Sequence, residues 1–222
     1  MNTFWIVLTI FFGLAMTCLG YLYVVNFDED SIKVRKPVHL LFDKMIVLLM
    51  AGSWVVSIVL MIYSIHFELA TEMQLLLHFF TMAWLASIAI LDHKYRVIPN
   101  QLVLIGFVFW VILALLQTFI AKVNIRVTAM YSGGGMLLFG GILWIIAAVA
   151  KGALGMGDVK MFSVLGLFYG ITGTFVILFF TSIIMMVVAI VLLIAKKANR
   201  KSALPMAPFV VIGFIMSILL GI

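Results

Sequence analysis

Apolar residues in this chain run in long unbroken blocks and do not alternate with polar ones. Blocks at roughly 4–25, 44–65, 74–91, 100–121, 130–150 and 174–195 each approach the length needed to cross a membrane. A hydrocarbon core about 30 Å thick takes about 20 helical residues. A shorter block covers 205–222. The stretch 159–195 is too long for one crossing, and Gly170-Ile171-Thr172-Gly173-Thr174 interrupts it, which predicts a short helix, a turn and a full span. Continuous blocks without period-two alternation point to helices and away from a barrel. The expected fold is all-α: a polytopic membrane helical bundle of about eight transmembrane helices, the sixth short, forming one membrane-embedded domain over 1–222. The first block lacks a basic flank and a small-residue cleavage pattern, so it reads as a retained span.

Composition supports this reading. Of 222 residues 66% are hydrophobic and 10% charged, with mean hydropathy +1.33. A soluble domain carries about a quarter charged residues, so this chain cannot cover itself with polar surface in water. The bilayer is its main partner. The net charge of +6 does not indicate nucleic acid, because the basic residues sit in small clusters between apolar blocks. With the N-terminus outside, the inner loops hold Lys33, Arg35, Lys36, Lys44, Lys94, Arg96, Lys151, Lys160, Lys196, Lys197, Arg200 and Lys201. Only Lys122 and Arg126 fall outside, a strong positive-inside asymmetry. Cys18 is the single cysteine, so an intrachain disulfide and a CxxC metal site are both excluded by residue type. No cofactor or metal is expected, since His39, His66, His78 and His93 are scattered over loops and both sides of the membrane.

Most acidic residues fall in loops: Asp28, Glu29, Asp30 and Asp43 inside, Glu68 and Glu72 outside. Two stand apart at the membrane edge. Asp92 ends the third helix in Leu91-Asp92-His93-Lys94-Tyr95-Arg96-Val97-Ile98-Pro99-Asn100, a short basic loop follows, and Pro99 starts the fourth helix. Asp158 opens the sixth helix in Gly155-Met156-Gly157-Asp158-Val159-Lys160, where Gly155 and Gly157 let the backbone approach a neighbour closely. Taken singly, Asp92 reads equally as an interfacial charge and Asp158 as a helix N-cap. As a pair they reach matching depth on the cytoplasmic side. Two carboxyls within a few ångströms share a proton: one can act as general base on a water while the other polarises a carbonyl.

The ordered set resembles the type IV prepilin peptidase family, membrane aspartic proteases of the GxGD class. The matching elements are Leu91-Asp92 followed by Ile98-Pro99-Asn100, then Gly155-Met156-Gly157-Asp158-Val159-Lys160, and the Leu204-Pro205-Met206-Ala207-Pro208-Phe209 start of the last helix. The resemblance implies an aspartic endopeptidase that removes the short basic leader of prepilin or pseudopilin precursors at the cytoplasmic face of a prokaryotic cell membrane. It makes Asp92 and Asp158 catalytic, with Gly155, Gly157, Lys160, Pro99 and Asn100 in supporting positions. Lys160 either pairs with an acid or snorkels to the interface. Many members insert a cysteine-bearing domain with N-methyltransferase activity after the first helix. Here that region is only 26–43 and has no Cys, which speaks against zinc binding there and against methylation of the product. Two other readings compete. A presenilin or signal-peptide-peptidase-like protease usually has Tyr-Asp at the first aspartate and Pro-Ala-Leu near the end, unlike this chain. An ion or proton transporter would need a mid-span acid or an inverted repeat, and neither is visible.

Overall fold

The computed structural model describes residues 3–25, 44–119, 122, 124–149, 154–196 and 204–221. The segment 26–43, expected as an inner loop, lies outside the described residues, as do Lys151, Lys197, Arg200 and Lys201. Among the described residues there are seven helices and no strand: α1 (Thr3–Val25), α2 (Lys44–His66), α3 (Glu72–Tyr95), α4 (Asn100–Phe119), α5 (Ile125–Val149), α6 (Met156–Ile194) and α7 (Ala207–Leu219). Six are long and apolar enough to cross a bilayer. The chain is an all-helical integral membrane protein. α7, with 13 residues, is about 20 Å long and too short for a full crossing.

α3 is the axis of the bundle, and its side chains from Leu75 to Asp92 are nearly all buried. A Thr71 capping box starts it: the Thr71 hydroxyl accepts from the Gln74 N–H, and the Thr71 N–H donates to Gln74 Oε1 at 2.7 Å. α4 and α6 pack against this axis through aromatic contacts. Phe80 stacks on Phe109 of α4 with centroids 3.5 Å apart, and Phe168 of α6 meets Phe80 and Trp84 edge-on. The Trp84 indole N–H donates to the Leu102 carbonyl at 2.7 Å. That bond ties α3 to α4 where no water can substitute for either partner.

α6 holds 39 residues, about 58 Å if straight and nearly twice the hydrocarbon thickness. It breaks at Gly170, whose φ of 61° and ψ of −158° are open in practice only to glycine. Thr174 Oγ1 donates to the Leu165 carbonyl at 3.0 Å, although nine residues of straight helix rise about 13 Å. The chain therefore bends sharply here. The expected short helix and full span are the two arms of α6, joined at one residue where the sequence suggested a turn over 170–174. Counted as arms, they restore the eight expected segments. α5 crosses the bend closely: Gly135 lies against the backbone of Gly166 and Gly170, and the Tyr131 hydroxyl donates to the Tyr169 carbonyl at 3.0 Å. Of the other α5 glycines, Gly140 meets Ser163, Gly134 makes only an ordinary contact with Ile171, and Gly133 and Gly141 face open space.

Candidate active site

The C-terminal end of α3 and the N-terminal ends of α4, α6 and α7 gather at one end of the bundle. The opposite end is marked by the Tyr63 hydroxyl on the Leu219 carbonyl at 3.1 Å and by Gly221 against Leu69. A cavity of about 560 Å³, walled by His78, Gln117, Tyr131 and Tyr169 among others, includes no residue of either acidic motif. The chemistry-bearing groups are at the other end.

Asp92 does not end α3 as expected. The helix runs one further turn through His93, Lys94 and Tyr95 and is closed by Arg96, left-handed at φ 58°, whose N–H donates to the Asp92 carbonyl. Asp92 is consequently held on a rigid element, and its side chain is buried. Its Oδ2 accepts the backbone N–H of Ala207, the first residue of α7, at 3.0 Å. The Pro205-Met206-Ala207-Pro208 run explains why α7 starts there, since proline suits the first helical turn and not the interior.

Asp158 is not the N-cap of α6. Gly155 is the cap, in an extended conformation, and Asp158 is the third helical residue, N3. From there its carboxyl reaches back to the Gly155 N–H, as the acid of a capping box does. A Cβ at position 155 would lie 3.1 Å from Asp158 Oδ2, so the cap is glycine where the carboxyl folds over it. Asp158 remains half-buried, and Asp92 is the charge that acts on it electrostatically. The structure thus brings the two aspartates of the sequence motifs into one site.

The supporting residues divide. Among the described residues Lys160 pairs with no acid: its ammonium donates to Asn100 Oδ1 at 2.7 Å. This bond joins the two motifs directly, from the second turn of α6 to the first residue of α4. Pro99 is buried just before α4, where its carbonyl accepts from the Leu102 and Val103 N–H groups; it caps the helix and does not lie within it. Gly157 abuts Ile98, whose Cβ would be 2.9 Å from a Cβ added at 157. Sequence reasoning gave neither Ile98 nor Ala207 a place in the site. Ile98 offered no chemical signal, and Ala207 acts through its backbone alone, although the proline run did mark a helix start there.

Fold and site together define a helical integral membrane protein that holds two aspartates within electrostatic reach of each other at one end of its bundle. Residues 79–190 match the pattern of the type IV leader peptidase family, and the chain belongs to it. It is similar to a prepilin leader peptidase/N-methyltransferase of Bacillus subtilis (strain 168), 26% identical over 137 residues, 62% of this chain and 52% of that protein. The matched region spans about half the length of that relative. No solved structure matches the chain.

Proposed function

We infer that the chain is an aspartic endopeptidase that removes the leader of prepilin-like precursors, with Asp92 and Asp158 as the catalytic pair. The observation that carries the reading is their convergence: two carboxyls 66 positions apart in sequence come within electrostatic reach of each other at the ends of α3 and α6. Neighbouring carboxyls do not ionise together readily, and the proposed mechanism has this pair share one proton. The ionised member draws a proton from a water as that water attacks the scissile carbonyl. The protonated member hydrogen-bonds the carbonyl oxygen and then supplies a proton to the departing amine. The family membership supports a leader-type substrate, and the relative's name supports prepilins as the substrate class.

The site would face the cytoplasm, with the N-terminus outside and the protein in the cell membrane of a prokaryote. Lys94, Arg96 and Lys160 lie at the aspartate end of the described helices, and Lys196 closes the returning arm of α6, whereas Lys122 between α4 and α5 and Arg126 in the first turn of α5 lie at the other end. Cytoplasmic loops carry such an excess. Purified Asp92→Asn and Asp158→Asn variants, expressed at normal levels, should each fail to cleave a synthetic leader-bearing prepilin. Near-normal cleavage by either would refute the catalytic pair.

A further inference from the structure

The site has a third structural component. The two aspartates occupy helix ends of opposite sign. Asp158, at N3 of α6, sits where the backbone dipoles favour an anion. Asp92 is in the last turn of α3, where its own helix offers carbonyls and no free N–H, and it is buried. What meets it is the N-terminus of another helix, through the Ala207 N–H on Oδ2 at 3.0 Å. Ala207 is itself fully buried, so water cannot replace that donor.

We propose that the first turn of α7 is a positioning element of the active site, in which the Ala207 N–H orients the Asp92 carboxyl toward Asp158. The inference rests on the catalytic-pair reading above. It gives the C-terminal Pro205-Met206-Ala207-Pro208 run a role in catalysis beyond closing the bundle. The bond fixes one oxygen of Asp92 and leaves the other to its partner acid and a water. It also couples α7 to the chemistry, since a shift of that helix would withdraw the donor from Asp92. α7 has no titratable residue, and α6 brings Asp158 together with Lys160, which is turned to Asn100. His93, Lys94 and Arg96 follow Asp92 on its own helix end.

The test is an amide-to-ester replacement at Ala207 in the full-length protein, made by incorporating the matching α-hydroxy acid. It deletes the one N–H and leaves the side chain and the helix start in place. The assay is kcat and KM for cleavage of a synthetic leader-bearing peptide, beside wild type and Asp92→Asn. Losing the donor frees the Asp92 carboxyl to turn out of its reacting orientation, so kcat should fall about 10- to 100-fold while KM stays close to wild type. A purely structural role would lower the yield of folded protein and leave kcat of the folded fraction unchanged. An ester variant whose kcat is within threefold of wild type, or whose KM rises as far as its kcat falls, overturns the inference. Cleavage by Asp92→Asn would instead overturn the catalytic pair, so the two failures are distinguishable.

Discussion

Substituting Gly157→Ala tests whether the glycines beside Asp158 set its position. The added methyl would stand 2.9 Å from Ile98 Cβ, 3.2 Å from Cγ1 and 3.3 Å from Cδ1. Ordinary carbon contacts lie at about 3.5–4.0 Å, so the two segments must separate by about 0.6–1 Å. The nearest atom is a Cβ fixed to the backbone before Pro99, and a rotamer change cannot move it away. Overpacking of this kind costs about 1–3 kcal/mol, and removing a glycine from a helix returns up to about 1 kcal/mol, so net stability should fall by about 0–2 kcal/mol. The effect on catalysis should be larger. Position 157 precedes Asp158, and Ile98 belongs to the segment following Asp92, so the separation falls between the two acids. A misplacement of about 1 Å can cost about 10²-fold in rate, and we expect a 10- to 100-fold loss of leader cleavage with a thermal midpoint close to wild type. Ile98→Ala removes two of the three clashing atoms and should restore part of the rate in the double variant. Gly157→Ala cleaving within threefold of wild type, or a double variant whose losses simply add, would refute the argument.

Two stability predictions concern the scaffold. Gly166→Ala places a methyl 2.5 Å from the carbonyl carbon and oxygen of Gly135, with backbone on both sides, so the α5–α6 crossing must open. A loss of about 2–3 kcal/mol is expected in reversible unfolding from detergent, and unchanged stability would contradict the crossing. Trp84→Phe removes the indole donor from the Leu102 carbonyl, which keeps its own helical partner, and should cost about 0.5–1.5 kcal/mol by the same measurement, with cleavage retained in the folded fraction.

How much of this was legible in the sequence follows from which forces act locally. The spans were legible because crossing a bilayer fixes a minimum apolar length, and the α2 and α4 starts at residues 44 and 100 agree with the block boundaries. The break in α6 was legible as an interruption, but its position at Gly170 was not, because Gly173 offers the same freedom; neighbouring Tyr131 and Gly135 select between them. The end of α3 was misplaced by a turn. His93, Lys94 and Tyr95 are polar or amphipathic and read as loop, yet at a helix C-terminus cations are favoured by the dipole and the helix continues through them. The α5 glycines were indistinguishable in sequence for a different reason. A soluble helix shows its inner face by amphipathicity, but in lipid both faces are apolar, so nothing local says that Gly135 packs and Gly141 does not.

The same distinction explains the site. Each aspartate was found because a charge beside an apolar block is costly enough to demand an explanation. Neither its partner nor its orientation was accessible, because those depend on contacts between residues 92 and 207, 98 and 157, and 100 and 160. All three contacts involve helix ends. In a bilayer the ends of helices are where unpaired backbone donors occur, since every interior N–H is already bonded along its own helix. A carboxyl that must be held, ionisable and near substrate in this setting has few donors available other than the first turn of a neighbouring helix. Asp158 uses the first turn of its own helix, and Asp92, on a helix that ends where α6 begins, takes that of α7. The short α7 suits this role, because with 13 residues it starts level with Asp92 and still reaches Leu69 by Gly221. Lengthening it at its N-terminus would carry the free N–H past the carboxyl it serves.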